Sequence, residues 1–212
     1  MKTFVLTTGG TIEKVYSEQE GAVVNVAQKI GRYLKQLRLP DREVEVIPVM
    51  NKDSLEMTGE DRAVLVAKIA EVQCEGCPLV ITHGTDTMTE TGRYIQDAFP
   101  KLTVPIILTG AMRPLGFEGS DGLQNLTESL LAARLLTPGV YIVFHGQVFL
   151  ADRAVKDREA SFSERTVFRA PSIRRRSRRS TKMVFCKSSC RSALSRSQRR
   201  SISRFRNHRL SG

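Results

Sequence analysis

Five short apolar runs, separated by segments with helical spacing, constrain the fold of this chain more than any other feature. The runs are residues 2–8, 43–49, 78–82, 104–108 and 140–144. Residues 43–49 alternate between apolar and polar positions, whereas the other runs have a continuous apolar centre. Continuous apolar runs predict strands covered on both faces, as in a parallel sheet. The β-α-β alternation predicts an α/β three-layer sandwich with a mainly parallel sheet of about five strands, similar to Rossmann-like and flavodoxin-like folds.

Helices are predicted between these strands. Thr58, followed three residues later by Asp61, resembles a capping box at a helix start. The Gly-, Thr- and Glu-rich residues 9–22 are interpreted as a long loop. Four segments have apolar residues at helical spacing: residues 24–39, the segment after Thr58, residues 87–99 and residues 122–136.

The charges divide the chain in two. The net charge is +11, but no acidic residue follows Glu164, and the 15 basic residues of 169–212 leave residues 1–168 with a net charge of −4. We expect one domain over 1–168 and a disordered Arg/Ser-rich tail over 169–212, because the tail has little apolar surface to offset its ordering entropy. The abrupt change in composition also fits translation out of frame, which the coding sequence would test.

The sequence gives little support for a membrane span, a signal peptide, a metal site or a dinucleotide-binding site. No stretch approaches the ~20 apolar residues of a membrane span, and the N-terminus shows no signal-peptide pattern, which favours a cytoplasmic protein without a membrane partner. Cys74 and Cys77 have CxxC spacing, but nothing nearby completes four zinc ligands. No Gly-x-Gly-x-x-Gly motif opens a helix after a strand. We therefore expect no metal and no cofactor.

Two hydroxyl-rich turns directly follow predicted strands. They are Thr7–Ile12, after the first strand, and Thr82–Met88, after the third. In an open α/β sheet, ligands bind at the carboxyl ends of the strands. A site that attacks a carbonyl and holds the resulting oxyanion uses hydroxyls and glycine N–H groups together.

Three motifs resemble the signatures of the bacterial-type L-asparaginase/glutaminase family, in the family's order and at similar spacing. They are Thr8-Gly9-Gly10-Thr11-Ile12, His83-Gly84-Thr85-Asp86-Thr87-Met88 and Gly110-Ala111-Met112-Arg113-Pro114. The resemblance covers roughly residues 3–162, the family's larger N-terminal domain. It implies hydrolysis of the side-chain amide of L-asparagine to L-aspartate and ammonia without a cofactor. Asparagine and glutamine differ by one methylene, and the sequence does not predict which of the two is the preferred substrate.

The resemblance also implies catalytic roles. Thr11 is the nucleophile that forms an acyl-enzyme, and Tyr16, from the following loop, is its base. Thr85, Asp86 and Lys156 form a second catalytic group, in which a lysine whose pKa is lowered from about 10.4 by burial keeps a water activated. The alternative interpretations are that Tyr16 is an ordinary loop residue and that Lys156 is a solvated lysine.

Substrate contacts are implied on three loops. Asp53 and Ser54 match the family's α-carboxylate site, although their order departs from the usual Ser-x-Asp run. Asp86, beside Thr85, suits the substrate α-ammonium. The glycines of the first two motifs, Gly10 and Gly84, complete the substrate site.

The family also bears on partners. Many members carry a smaller C-terminal domain that this sequence does not resemble. We therefore expect either a short single-domain member or a truncated chain whose tail replaces that domain. The family forms homo-oligomers, dimers or tetramers. There are two interpretations of the basic tail over residues 169–212. It binds nucleic acid non-specifically, or it is an accidental extension without a function. The alternative function is therefore a catalytically weak asparaginase-like binding protein with a nucleic-acid-binding tail.

Overall fold

The structure is a computed structural model that describes residues 2–17, 22–25, 29–38, 44–73, 76–157 and 161–164. The basic tail over residues 169–212 lies outside the described residues. The predicted domain boundary at residue 168 lies outside them as well, and it remains a prediction.

The described residues form ten strands and four α-helices. The strands are β1 (Thr3–Gly9), β2 (Lys14–Ser17), β3 (Ala22–Asn25), β4 (Val44–Lys52), β5 (Leu79–Thr82), β6 (Pro105–Thr109), β7 (Gly139–Phe144), β8 (Gln147–Leu150), β9 (Ala154–Asp157) and β10 (Ser161–Glu164). The helices are α1 (Lys29–Leu34), α2 (Gly59–Gln73), α3 (Met88–Ala98) and α4 (Gly122–Leu135).

One six-stranded sheet organises the domain, in the order β4-β1-β5-β6-β7-β8. Its first five strands are parallel and correspond to the five predicted strands, which confirms the mainly parallel sheet. The chain starts at β1, adds β4 on one side and then β5 on the other, which is the flavodoxin-like strand order. The direction of winding therefore reverses beside β1, and a ligand crevice is expected at its carboxyl end.

The sixth strand was not predicted. β8 pairs antiparallel with β7 through a two-residue turn at His145 and Gly146, which have φ values of +48° and +76°. Two successive positive φ values are typical of a type I′ hairpin turn. The dipeptide His-Gly indicates such a turn less strongly than the usual Asn-Gly, and so the hairpin was not predicted from the sequence.

Helices cover both faces of the sheet, which confirms the three-layer prediction. α2 and α3 pack on one face, where Phe4 and Leu6 of β1 point. α1 and α4 pack on the other face, against Val5 of β1. Because side chains alternate along a strand, β1 contributes to both cores and is buried throughout.

The segment between β1 and β4 differs from its prediction. The long loop predicted over residues 9–22 contains β2, which pairs with β3 in a separate two-stranded sheet. The helix predicted over residues 24–39 is limited, within the described residues, to α1. Val23 and Val24 are β-branched and favour a strand, and they override the helical spacing around them.

The helix start predicted at Thr58 is confirmed by two hydrogen bonds at the beginning of α2. The Thr58 backbone N–H donates to Asp61 Oδ2 over 2.9 Å, and the Asp61 N–H donates to Thr58 Oγ1 over 3.3 Å. These reciprocal bonds define a capping box. Among the described residues, no helix has the length and hydropathy needed to cross a membrane.

Candidate active site

The first and second motifs meet at the carboxyl ends of β1 and β5. Gly9 and Gly10 have φ values of +99° and +78°, which L side chains rarely adopt. A Cβ atom on Gly10 would lie 2.4 Å from the Gly84 backbone nitrogen and 2.5 Å from its Cα atom. The two turns are therefore in backbone contact, and Thr11 and Thr85 follow the contacting glycines directly.

Hydrogen bonds fix the first motif between its neighbours. Thr8 Oγ1 donates to the Thr82 carbonyl over 2.8 Å, and the Gly10 N–H donates to the Lys52 carbonyl over 3.0 Å. The Gly10 N–H is thus engaged and is not free to hold an oxyanion. Thr11 begins a single 3₁₀ turn, and its hydroxyl has no hydrogen-bond partner among the described residues.

The structure brings Lys156 to the second motif. Lys156 Nζ donates to Thr85 Oγ1 over 2.6 Å and lies 3.6 Å from Asp86 Oδ1. Its side chain is only 18% exposed and passes beside the ring of Phe162, which pairs with it across the β9–β10 hairpin. Arg93 of α3 donates to the carbonyl at the start of β9 and supports this position.

The loop after β4 closes the crevice from the other side. Ser54 is buried, and its hydroxyl oxygen lies 2.4 Å from the position that a Cβ atom on Gly84 would take. Asp53 Oδ2 pairs with Lys14 Nζ at 2.5 Å, and Asp53 Oδ1 accepts the Leu55 N–H. The hydrogen bond from Lys14 holds the pKa of Asp53 below its usual value. The Asp53 carboxylate is therefore already engaged.

Tyr16 is not brought to Thr11. Its side chain lies on β2, is 55% exposed, and forms no hydrogen bond with Thr11. It borders an open cavity of about 430 Å³, whose other walls include two cationic side chains and one further tyrosine, Lys29, Arg32 and Tyr33. The crevice is thus assembled without a hydrogen bond between this tyrosine and the threonine.

His83 is buried beneath the second motif. Its Nδ1 lies 2.7 Å from the Gly84 carbonyl, and its Nε2 lies 2.9 Å from Thr91 Oγ1. Burial lowers the pKa of His83 to about 4; the hydrogen bond to Gly84 opposes this shift, and the Arg62 charge adds to it. A neutral, fully engaged imidazole holds structure and has no free nitrogen for a substrate proton.

Sequence reasoning missed Glu13, which is fully buried two residues after Thr11. Neither carboxyl oxygen has a hydrogen-bond partner within the described part of the chain. Burial raises the pKa of Glu13 to about 7, although the Gly9 backbone opposes the rise. In the sequence, Glu13 is simply an acidic residue shortly after a predicted strand, and such a residue is normally expected to be exposed.

The third motif completes the same edge. A Cβ atom on Gly110 would lie 2.3 Å from the His83 carbonyl oxygen, so the second and third motifs are also in backbone contact. Asp121 accepts the N–H groups of Met112 and Arg113 and shapes the turn, while the Arg113 side chain stays exposed. Across the described ranges, no cluster of three or more potential metal ligands occurs.

Comparison with known proteins agrees with this arrangement. The family model described as Asparaginase, N-terminal, matches residues 2–187. The L-asparaginase of Thermococcus kodakarensis is 32% identical over 156 residues, which cover 74% of this chain and 48% of that protein. A glutamyl-tRNA(Gln) amidotransferase subunit of Aeropyrum pernix is 31% identical over 179 residues, covering 80% and 42%.

Solved structures give the same result. The thermostable L-asparaginase from Thermococcus kodakarensis matches with a TM-score of 0.70 and 31% identity, over 77% of this chain and 51% of that one. L-asparaginase I from Vibrio cholerae matches with a TM-score of 0.71 and 26% identity, over 79% and 52%. The chain spans about half the length of these relatives. The three motifs, the fold and the similarities together show that the chain belongs to the asparaginase family and carries its N-terminal domain.

Proposed function

We propose that this protein hydrolyses the side-chain amide of L-asparagine to L-aspartate and ammonia through a threonine acyl-enzyme. The observation that carries the proposal is the hydrogen bond from Lys156 Nζ to Thr85 Oγ1, beside the Gly10–Gly84 contact. A lysine held against a hydroxyl, 18% exposed and at a strand end, suits proton transfer more than surface solvation.

In the first step, Thr11 Oγ attacks the side-chain amide carbon. The Tyr16 hydroxyl accepts the Thr11 proton and at the same time donates its own proton to the amide nitrogen. The tetrahedral intermediate collapses, the C–N bond breaks, and the nitrogen leaves as ammonia. This requires Tyr16 to move toward Thr11. Tyr16 lies on β2. Among the described residues, β2 and β3 pair with each other and not with the six-stranded sheet, which permits such a movement.

In the second step, a water attacks the acyl carbon of the Thr11 ester. Thr85 Oγ1 accepts a proton from this water and passes its own to Lys156, which acts in this step as the free amine. The proton returns by the same route to Thr11 Oγ as the ester C–O bond breaks, so that aspartate is released and the Thr11 hydroxyl is restored. Asp86 lies beside Lys156 and is 52% exposed, so its outer face is open to the substrate α-ammonium. The carboxylate charge also holds Lys156 in place.

For the α-carboxylate of the substrate, we propose Ser54 as the main hydroxyl donor. Its position against Gly84 supports this role, whereas the Asp53 side chain is engaged by Lys14 and Leu55. Asp53 then contributes by shaping the loop. Lys52 pairs with Asp61 and does not add charge to the substrate site.

A second candidate is supported by the relatives named glutamyl-tRNA(Gln) amidotransferase. There the same amide chemistry would serve a nucleic-acid-bound substrate, and the basic residues of 169–212 would bind RNA non-specifically. The same candidate covers a catalytically weak asparaginase-like protein that binds nucleic acid through its basic tail. That the protein forms homo-oligomers, as the family resemblance implies, and that it is cytoplasmic both remain proposals.

The full chain tests both candidates. Ammonia release from L-asparagine and L-glutamine is measured with and without added RNA, together with RNA binding at several salt concentrations. Turnover of free asparagine that RNA leaves unchanged supports the asparaginase. Absence of turnover together with tight, salt-sensitive RNA binding overturns it in favour of the binding protein.

A further inference from the structure

We propose that Arg62, Thr91 and His83 form a buried hydrogen-bond chain that positions Thr85 for catalysis, with Arg62 as its fixed end. The inference rests on the proposed function of Thr85. Arg62 lies on α2, Thr91 on α3, and His83 directly after β5. Three separate elements therefore converge beneath the second motif.

The direction of each bond follows from the chemistry of its ends. A carbonyl oxygen only accepts, so the proton of His83 is on Nδ1 and is donated to the Gly84 carbonyl at 2.7 Å. In a neutral imidazole, Nε2 is then an acceptor. It faces Thr91 Oγ1 at 2.9 Å, so the threonine hydroxyl donates to it.

Arg62 fixes the other end. Its Nε–H donates to Thr91 Oγ1 over 3.1 Å, and a guanidinium has no acceptor, so the whole chain can run in only one direction. Three further bonds hold the guanidinium itself, to the Met57 carbonyl at 3.1 Å, to the Thr58 carbonyl at 3.3 Å and to Glu90 Oε2 at 3.1 Å. Only 12% of the Arg62 side chain is exposed, compared with 62% of Glu90.

The chain ends on the backbone that carries the site. Gly84 contacts the Gly10 backbone on one side and the Ser54 side chain on another. Holding its carbonyl fixes the Gly84–Thr85 peptide plane, and with it the direction in which Thr85 Oγ1 meets Lys156. Arg62 and Thr91 form no hydrogen bond with Thr85 themselves and act only through this peptide, which makes them positioning residues.

Met57 closes the remaining side of the imidazole. Its sulfur lies 3.1 Å from His83 Nε2 and 3.6 Å from Thr91 Oγ1. Thr91 and His83 are both fully buried. Water therefore has no access to replace the threonine hydroxyl, and loss of that donor leaves Nε2 with an unmatched lone pair.

The test compares three variants of the full chain, Thr91→Val, Thr91→Ser and the control Thr89→Val. Thr89 is a buried threonine on the same helix, and its hydroxyl has no hydrogen bond among the described residues. We expect Thr91→Val to lower kcat for asparagine by a factor on the order of 10 to 100, the effect of a small misplacement. KM changes less, Thr91→Ser restores most of the rate, and Thr89→Val leaves it unchanged.

Nitrogen-15 NMR of the parent protein provides a measurement independent of activity. The chain has three histidines, and a His83→Gln sample assigns the signal. We expect the Nδ1–H tautomer, and a changed Nε2 shift in Thr91→Val. An Nε2–H tautomer, or equal kcat in Thr91→Val and Thr89→Val, overturns the inference. An inactive parent protein with the expected tautomer overturns the proposed function and leaves the hydrogen-bond chain standing.

Discussion

Lys156 Nζ lies 2.6 Å from Thr85 Oγ1, although the two residues are 71 positions apart in the sequence. The contact joins the hairpin that follows the sheet to the turn after β5. It also places the Lys156 nitrogen between a hydroxyl and the Asp86 carboxylate. The proposed deacylation depends on this pair.

Replacing Lys156 by Met should abolish most turnover while the fold remains intact. The aliphatic part of the side chain, which passes beside Phe162, is kept, but the proton-transfer group is lost. We expect kcat to fall by a factor on the order of 10² to 10⁴. Steady-state ammonia release measures this, and Lys101→Met, at an exposed lysine, is the control. A rate within a factor of about two of the parent would exclude Lys156 from proton transfer.

Gly10→Ala should be far more destabilising than Gly59→Ala. The new methyl at Gly10 would lie 2.4 Å from the Gly84 nitrogen, and the residue has a φ of +78°. Left-handed strain and overpacking cost about 1–3 kcal/mol each. At Gly59, in α2, no heavy atom other than those of its chain neighbours and its own helix backbone lies within 4 Å of the added methyl, so we expect no loss of stability. Urea unfolding gives both values, and equal stabilities would show that the first two motifs are not in backbone contact.

Glu13→Gln should change how stability depends on pH. The pKa of Glu13 is about 7 in the folded protein and 4.5 as its ordinary value, so its contribution is present below pH 4.5 and is lost as the pH rises through 7. At 1.36 kcal/mol per unit this amounts to about 3 kcal/mol. The variant should therefore be more stable than the parent at pH 8, by up to about that amount.

His83 has the opposite effect over almost the same range. Its pKa of about 4 lies below the ordinary 6.5, so the unfolded state binds the extra proton and stability rises as the pH increases from 4 to 6.5. In the parent the two residues largely offset each other. In Glu13→Gln the rise due to His83 should be visible, and Glu118→Gln, at an exposed glutamate, should behave like the parent. A parallel pair of curves for Glu13→Gln and the parent would contradict this account.

The sequence predicted the sheet well because parallel strands are buried on both faces. β1 and β5 consist of residues that are all buried, so continuous apolar runs identified them without reference to their neighbours. Thr58 and Asp61 identified the start of α2 for a similar reason, since a capping box is local. β8 was missed because a hairpin with a His-Gly turn has a weak local signal.

The site was predictable only in part. Thr85 and Lys156 came from the family motifs, and the structure brings them together. The engagement of Asp53 by Lys14 was not predictable, because Lys14 lies on β2 and Asp53 in the loop after β4, 39 positions away in the sequence. The burial of Glu13 was also hidden, since charged residues are rarely buried without a partner.

The central claim is that Thr11 forms the acyl-enzyme, and ammonia release by Thr11→Ala beside the parent tests it most directly. The parent should release ammonia from L-asparagine, Thr11→Ser should retain part of that rate because it keeps a hydroxyl, and Thr11→Ala should fall to the uncatalysed background. The melting temperatures should agree closely, because the Thr11 hydroxyl has no hydrogen-bond partner in the described structure. Ammonia release by Thr11→Ala at the rate of the parent would contradict the account.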